Sequence, residues 1–377
     1  MKPIRVWAVA RKEFLHIVRD PRSLGMAVAI PMLLLLLFGY ALTLDVDRVP
    51  TVIWDQSESH VSRNLIARFE GSRYFDIAAH IQNYRELERA IDTGEALAAL
   101  VIPTDFAGQL EAGRETPVQL IVDGSDSNTA GIAIGYTETI TQGFSEAIAL
   151  AQLQRQRGQT AEAPLAVEPR VWFNADLESR NYIVPGLIAV IMMVIAALLT
   201  SLTVAREWER GTMEQLISTP VKGPELIVGK LLPYFVIGMF DVLVAVLMGE
   251  FLFGVPLRGN VALLFGMAAI FLVGALSMGM LISIVTKGQL LASQLAMVTT
   301  FLPSFLLSGF MYAIENMPAP LQVITHIVPA RYFVNLLKGI YLKGVGLEVL
   351  ALEAALLALF GAVMLTLAIV KFKKKLV

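Results

Sequence analysis

The chain has 377 residues, 56% of them hydrophobic and only 16% charged, with a mean hydropathy of +0.65. A soluble globular chain carries about a quarter charged residues, so a soluble enzyme does not fit. Zero cysteines remove disulfides and thiol nucleophiles, and four histidines, at 16, 60, 80 and 326, leave little for a metal cluster.

The formal charge of −2 hides a split. Residues 45–182 hold 21 acids and 11 arginines but no lysine, a net of −10, while the rest of the chain nets +8. Such asymmetry predicts regions that face different compartments.

In chain order, residues 3–20 read as an amphipathic helix. Ile4, Trp7, Phe14, Leu15 and Val18 share one arc, and Arg5, Lys12, His16 and Arg19 the opposite one. Arg11 projects into the apolar arc. This pattern suits a helix lying on the inner leaflet. A bilayer core of about 30 Å needs roughly 20 apolar residues, and six stretches approach that: Leu24–Leu44, Ile183–Ala205, Leu231–Gly249, Val261–Thr286, Gly288–Ile314 and Ala354–Val370. The expected fold is a polytopic α-helical membrane protein with six transmembrane helices. Six basic residues precede the first span, and Lys371, Lys373, Lys374 and Lys375 follow the last. Both termini are therefore expected in the cytoplasm, residues 45–182 outside, and the 206–225 connection inside. The first apolar run is too long for a cleaved signal peptide.

Residues 45–182 predict an inserted α/β domain with a mixed sheet. Strand-like runs are Val49–Trp54, Phe75–Ile81, Ala96–Ile102, Val118–Val122 and Leu165–Trp172. Helical ones are His60–Glu70, Tyr84–Asp92, a short helix capped by Thr104 and ending at Glu111, and Asn128–Arg157. The polar turn Gly124–Ser127 has ligand-binding composition, but such clusters are more often plain turns. Residues 158–164 look like a linker.

No nucleotide site is visible. The nearest match to a phosphate-binding loop is Gly223 to Lys230, which has five residues between its glycines, a proline, and no Ser or Thr after the lysine. The segment that stands out is Arg206–Thr219, REWERGTMEQLIST, directly after the second span. The helix can run on to Arg210, Gly211 permits a sharp turn, and Thr212 can cap a short helix from Met213. Glu207, Glu209 and Glu214 against Arg210 make a charged knob on a rigid lever, suited to a soluble partner.

Within the bilayer, Asp241 sits midway along the third span, where a lone carboxylate is costly. It faces either the pathway or dimer seam, or a neighbouring helix. Pro31 and Pro303 are expected to kink their helices, and Ala275-x-x-x-Gly279 to allow close helix approach. Pro318 and Pro320 lie in Met317–Leu321, and Pro329, Arg331 and Tyr332 in Ile327–Phe333, a segment suited to a turn at the headgroups.

The run from Glu207 to Leu216 with Thr219-Pro220, together with Met317–Leu321, Ile327–Phe333 and Leu337-Lys338-Gly339, resembles the ABC-2 type permeases of bacterial ABC exporters. The six-span layout with a large domain after the first span resembles their drug-exporter-like subgroup. The resemblance implies that Glu207, Glu209, Gly211, Thr212, Glu214 and Gln215, with Arg210 in the same knob, contact a separate P-loop ATPase subunit that carries ATP and Mg. It also implies a second permease copy or sister permease, a periplasmic adaptor, a re-entrant segment over 315–340, and an inner-membrane location. Membrane lipid, not nucleic acid, is the remaining expected partner. The function so implied is export of drug-like or amphipathic compounds by alternating access, with no catalysis by this chain. Two rivals differ in class: an ion-coupled secondary transporter using Asp241, which would show repeated halves and several intramembrane charges, and a membrane-anchored extracytoplasmic sensor, which needs neither six spans nor the REWERGT segment.

Overall fold

The computed structural model describes residues 1–42, 48–157, 172–174 and 178–372. Two compact units divide the chain: Leu44–Pro169 makes one, and Met1–Thr43 with Arg170–Val377 the other.

In the first of these, strands β1 (Val49–Asp55), β2 (Phe75–His80), β3 (Ala98–Ile102) and β4 (Gln119–Val122) form one sheet in the order β2-β1-β3-β4. β1 is parallel to β2 and β3, and β4 is antiparallel to β3, so the sheet is mixed. Parallel neighbours need crossovers, supplied here by α3 (His60–Glu70) and α4 (Tyr84–Asp92). Both helices begin where the sequence places them because their caps are explicit. The Ser59 hydroxyl accepts from the Ser62 amide, and the Asn83 side chain accepts from the Glu86 amide.

Side-chain alternation along β3 explains how both sheet faces become covered. Ala98, Leu100 and Ile102 join a core with Leu65 and Phe69 of α3, Phe106 of α5 (Phe106–Glu111) and Phe144 of α6 (Ser127–Arg157). Ala99 and Val101 meet Leu87 and Ala90 of α4 on the other side. Two expectations change. Thr104 caps nothing, because Asp105 occupies the N-cap of α5 and makes no side-chain cap bond. The Ala96–Ile102 strand starts at Ala98, since the Ala96 amide closes the α4 turn on the Ala90 carbonyl. Of the Leu165–Trp172 strand, residues 165–171 lie outside the described residues, as does the 158–164 linker, and Trp172 is not in a strand.

The second unit is helical. After α1 (Pro3–Val18) and α2 (Pro21–Ala41) come α7 (Ser179–Glu209), α8 (Thr212–Ser218), α9 (Gly223–Leu247, ending in a π turn over Met248–Leu252), α10 (Val261–Thr286) and α11 (Gln289–Leu307). A 3-10 turn (Ile314–Asn316), α12 (Ala319–Thr325), α13 (Pro329–Lys338) and α14 (Leu347–Lys371) complete it. Among the described residues, five helices are long and apolar enough to cross a membrane: Ser179–Glu209, Gly223–Leu252, Val261–Thr286, Gln289–Leu307 and Leu347–Lys371. The expected first span corresponds to α2, whose apolar part, Ala27–Ala41, falls short of that length among the described residues. The fifth apolar run ends as a helix at Leu307 rather than Ile314. Gly309 turns the backbone at φ +77°, where an L side chain is strained.

The core sits around α7, whose residues from Ile183 to Ala197 are all buried. Small residues set the helix spacing. A Cβ on Gly279 of α10 would clash with the Ala197 carbonyl oxygen and the Thr200 hydroxyl of α7, so Gly279 of the Ala275–Gly279 pair lets two helices come close. The Thr200 hydroxyl donates to the Leu276 carbonyl at 2.9 Å across this seam. Pro31 and Pro303 stand inside α2 and α11.

Candidate functional site

The elbow between α7 and α8 carries the candidate residues. α7 continues without a break through Ala205 to Glu209, and Arg210 then closes its last turn onto the Arg206 carbonyl. Gly211 adopts φ +70°, a left-handed conformation that reverses the chain for glycine alone at no steric cost. Thr212 opens α8 as its first residue rather than its cap. Its hydroxyl turns back to the Glu207 carboxylate, tying the two helices across the bend. Met213 is buried beneath the turn, whereas Glu209, Arg210, Gly211, Glu214 and Gln215 are exposed. Thus the predicted knob splits into an outward surface and an inward-facing Glu207.

Glu207 belongs to a buried charge network that links three helices. Its Oε1 accepts from Lys230 Nζ of α9 at 3.2 Å and from Lys12 Nζ of α1 at 3.0 Å. Lys230, 1% exposed, also donates to Glu13 Oε2 at 3.0 Å, and the Tyr234 hydroxyl donates to Glu13 Oε1 at 3.4 Å. The Lys230 ammonium is buried between the two carboxylates, and Lys12, half exposed at the rim, supplies the second positive charge that balances them. Removing one partner of such a set costs about 3–5 kcal/mol.

The same α1–α9 contact is made tight by Gly229. A Cβ there would lie 2.7 Å from Val9 Cβ and 2.9 Å from the Val6 carbonyl oxygen. Gly229-Lys230, the pair that imitates a phosphate loop in sequence, is therefore a helix-packing glycine beside a buried ion pair. Further along, Arg5 donates to the Pro220 carbonyl at 2.7 Å, and the Lys2 amide donates to Glu225 Oε1 at 2.8 Å. α1 thus grips both ends of the segment that contains α8. The buried residues of α1 are Val9, Ala10, Glu13 and Ile17, a face distinct from the apolar arc of Ile4, Trp7, Phe14, Leu15 and Val18, which stays exposed.

A second brace holds the elbow from the other side. Glu209 Oε1 accepts from the Gln289 amide at 2.7 Å, at the start of α11, and the Gln289 side chain donates to the same carboxylate. An anion at a helix N-terminus is favoured by the exposed amides and the helix dipole. The Ser283 hydroxyl oxygen accepts from the Val204 and Ala205 amides, and Lys287 Nζ stands 4.8 Å from the centre of the Trp208 ring.

The remaining candidates lie apart from this elbow. Asp241 of α9 is 3% exposed, and its Oδ1 has no hydrogen-bond partner among the described residues. Pro318 and Pro320 are exposed at the start of α12, and Pro329 is buried at the start of α13. The turn between these helices is stitched shut. Arg331 donates to the Thr325 hydroxyl and the Tyr332 hydroxyl donates to the His326 carbonyl at 2.7 Å. Tyr332 is buried, so it packs into the protein rather than standing free. In the turn before α6, Asp126 accepts from Thr129 and Asn128, and Asp123 from Ser125. The Thr129 hydroxyl bond, with the backbone bonds behind it, holds the Asp126 carboxyl below its ordinary value. These carboxylates serve the turn itself.

Glu13, Lys230 and Glu225 were not singled out by sequence reasoning, although a signal existed. Glu13 is the one acid in residues 1–19, at helical spacing from Val9, Ala10 and Ile17, and Lys230 is the one charge between Leu226 and Phe240. A lone charge on an apolar face asks for a partner, but nothing local says that the two meet.

A bundle of long apolar helices, with a doubly braced polar elbow at the end of one of them, marks a multi-pass membrane protein. The chain belongs to the ABC-2 transporter family, for its residues 21–370 match the family described as ABC-2 family transporter protein. It is 42% identical over 375 residues to "Probable multidrug ABC transporter permease YbhS" of Escherichia coli K12, covering 99% of this chain and 97% of that one. It is 31% identical over 348 residues to "Probable multidrug ABC transporter permease YbhR" of the same organism, with 92% of each chain covered. "Inner membrane transport permease YhhJ", also from that strain, is 26% identical over 355 residues, 91% of this chain and 92% of that one. The protein is accordingly an ABC transporter permease, a membrane component of the transporter.

Proposed function

We propose that this chain is the membrane-spanning subunit of an ATP-driven exporter in a bacterial inner membrane, moving drug-like or amphipathic compounds outward by alternating access. The single observation that carries the reading is the elbow: Arg210 at the end of α7 and Glu214 and Gln215 on the short helix α8 stand exposed, and the base of the bend is fixed by Glu207 and Glu209 on opposite sides. A push on α8 is therefore delivered to α1, α9, α11 and the buried α7 together. ATP and Mg are held by a separate P-loop ATPase subunit, and two permeases, identical or sister chains, form the pathway. Names of the relatives that include "multidrug" and "inner membrane" support the substrate class and location.

In this reading α2 is the first of six spans, both termini and α8 are cytoplasmic, residues 45–182 are extracytoplasmic and offer an adaptor a surface, and 315–340 is re-entrant. Asp241 lines the pathway or the dimer seam. The test is charge reversal at the exposed surface. Glu214→Arg is expected to abolish stimulation of the partner ATPase and export while leaving membrane insertion intact. Normal export from that variant would overturn the assignment of α8.

A further inference from the structure

Two cavities share a wall beside α1. One is an open cleft of about 690 Å³ lined by Arg11, Lys12, His16, Arg19, Asp20 and Arg210. The other, of about 260 Å³, is apolar, walled by Ile17, Ile30, Ile195, Leu198, Leu202 and Ile237, with Arg206 and Tyr234 at its polar end. His16 and Asp20 line both, which sets the two side by side.

We propose that this composite pocket binds one anionic phospholipid of the leaflet beside α1, headgroup in the basic cleft and one acyl chain in the apolar cavity. The charge balance selects the headgroup: four permanent cations face the cleft against the single carboxylate of Asp20. Lys12 is engaged with Glu207, whereas Arg11, Arg19 and Arg210 have no carboxylate within 4.0 Å among the described residues. Planar guanidinium groups match phosphate oxygens, and basic pockets between membrane helices on the cytoplasmic side recognise anionic headgroups. The volume selects the tail. Drug-sized ligands fill roughly 300–1,000 Å³, so the apolar cavity suits a single alkyl chain better than a whole drug. The exposed apolar arc of α1 would lay the helix at the headgroup level where such a lipid is the surrounding solvent.

The proposal rests on the reading of α1 as a cytoplasmic-leaflet helix, but not on ATPase coupling, so its test uses the full-length permease alone. The purified chain in detergent is mixed with phosphatidylglycerol or phosphatidylcholine, and native mass spectrometry counts the lipid retained. One phosphatidylglycerol per chain is expected, with phosphatidylcholine retained far less. Arg11→Gln with Arg19→Gln should weaken retention about thirtyfold, from the usual increment per basic residue. Leu198→Trp, which fills the apolar cavity, should abolish it, and Ile30→Trp on the same cavity covers the case in which Leu198→Trp fails to fold. Equal retention of the two lipids, or loss in the arginine variant with none in a folded cavity variant, overturns the composite site. The latter result would make the cleft a general basic surface, such as a docking face for an acidic protein.

Discussion

Lys230 and Glu13, 217 positions apart in the chain, meet at 3.0 Å with both side chains almost fully buried. The contact places the N-terminal helix inside the same polar cluster as Glu207 at the base of the elbow. A helix that reads in sequence as a membrane-surface element is therefore also a structural part of the elbow's base.

That relationship makes Lys230 the most sensitive residue of the brace. Lys230→Met leaves Glu13 and Glu207 buried with less compensation and should lower stability by about 3–5 kcal/mol. Adding Glu13→Gln should recover a substantial part of the loss. Melting temperatures of the single and double variants, in one detergent, check this. Losses that simply add would mean that the two residues do not interact in the folded protein.

Gly229 tests the seat of α1 on α9 independently of charge. Gly229→Leu places side-chain atoms where Val9 and the Val6 carbonyl already stand, and should free α1 to protease while α9 stays inserted. The milder Gly229→Ala should be partly rescued by Val9→Gly, which removes the nearer obstacle. Limited proteolysis of membrane vesicles reads both, and unchanged protection of α1 in Gly229→Leu would contradict the tight contact.

Gly211 tests the turn. Alanine in its left-handed conformation costs about 1–2 kcal/mol, so Gly211→Ala should weaken export, and Gly211→Val should weaken it more. Asn tolerates the conformation best among side chains, so Gly211→Asn should retain the most activity. Export assays on the three variants, at matched membrane levels, should follow that order.

The orientation is open to a direct labelling test, because the chain has no native cysteine. Ser127 and Ser218 are both exposed. A cysteine at Ser127 should react with an impermeant maleimide in intact cells, and one at Ser218 only after permeabilisation. The reverse pattern would invert the topology.

What was legible in the sequence was what local chemistry controls. The limits of α3 and α4 follow from the Ser59 and Asn83 caps, the mixed sheet from alternating strand and helix, and the elbow from Gly211. Less visible were features fixed by distant partners. Ser308 to Ala313 continue an apolar run in composition, yet α11 stops at Leu307 and Gly309 turns the chain. Thr212 has the side chain of a cap, but the nearby Glu207 carboxylate takes its hydroxyl. Glu207 looked like part of an outward knob and instead faces Lys230, because the cation that balances it lies on another helix. Helix periodicity gave α1 one apolar arc, whereas its contact with α9 uses a second face that includes an acid.

The measurement that bears most directly on the exporter reading is purification of the tagged chain from its native cell in mild detergent, followed by an ATPase assay. The account predicts that a P-loop ATPase comes down with it, and that hydrolysis falls in complexes carrying Gly211→Pro or Glu214→Arg. A chain that purifies without nucleotide hydrolysis, or a complex whose hydrolysis ignores both substitutions, would contradict it.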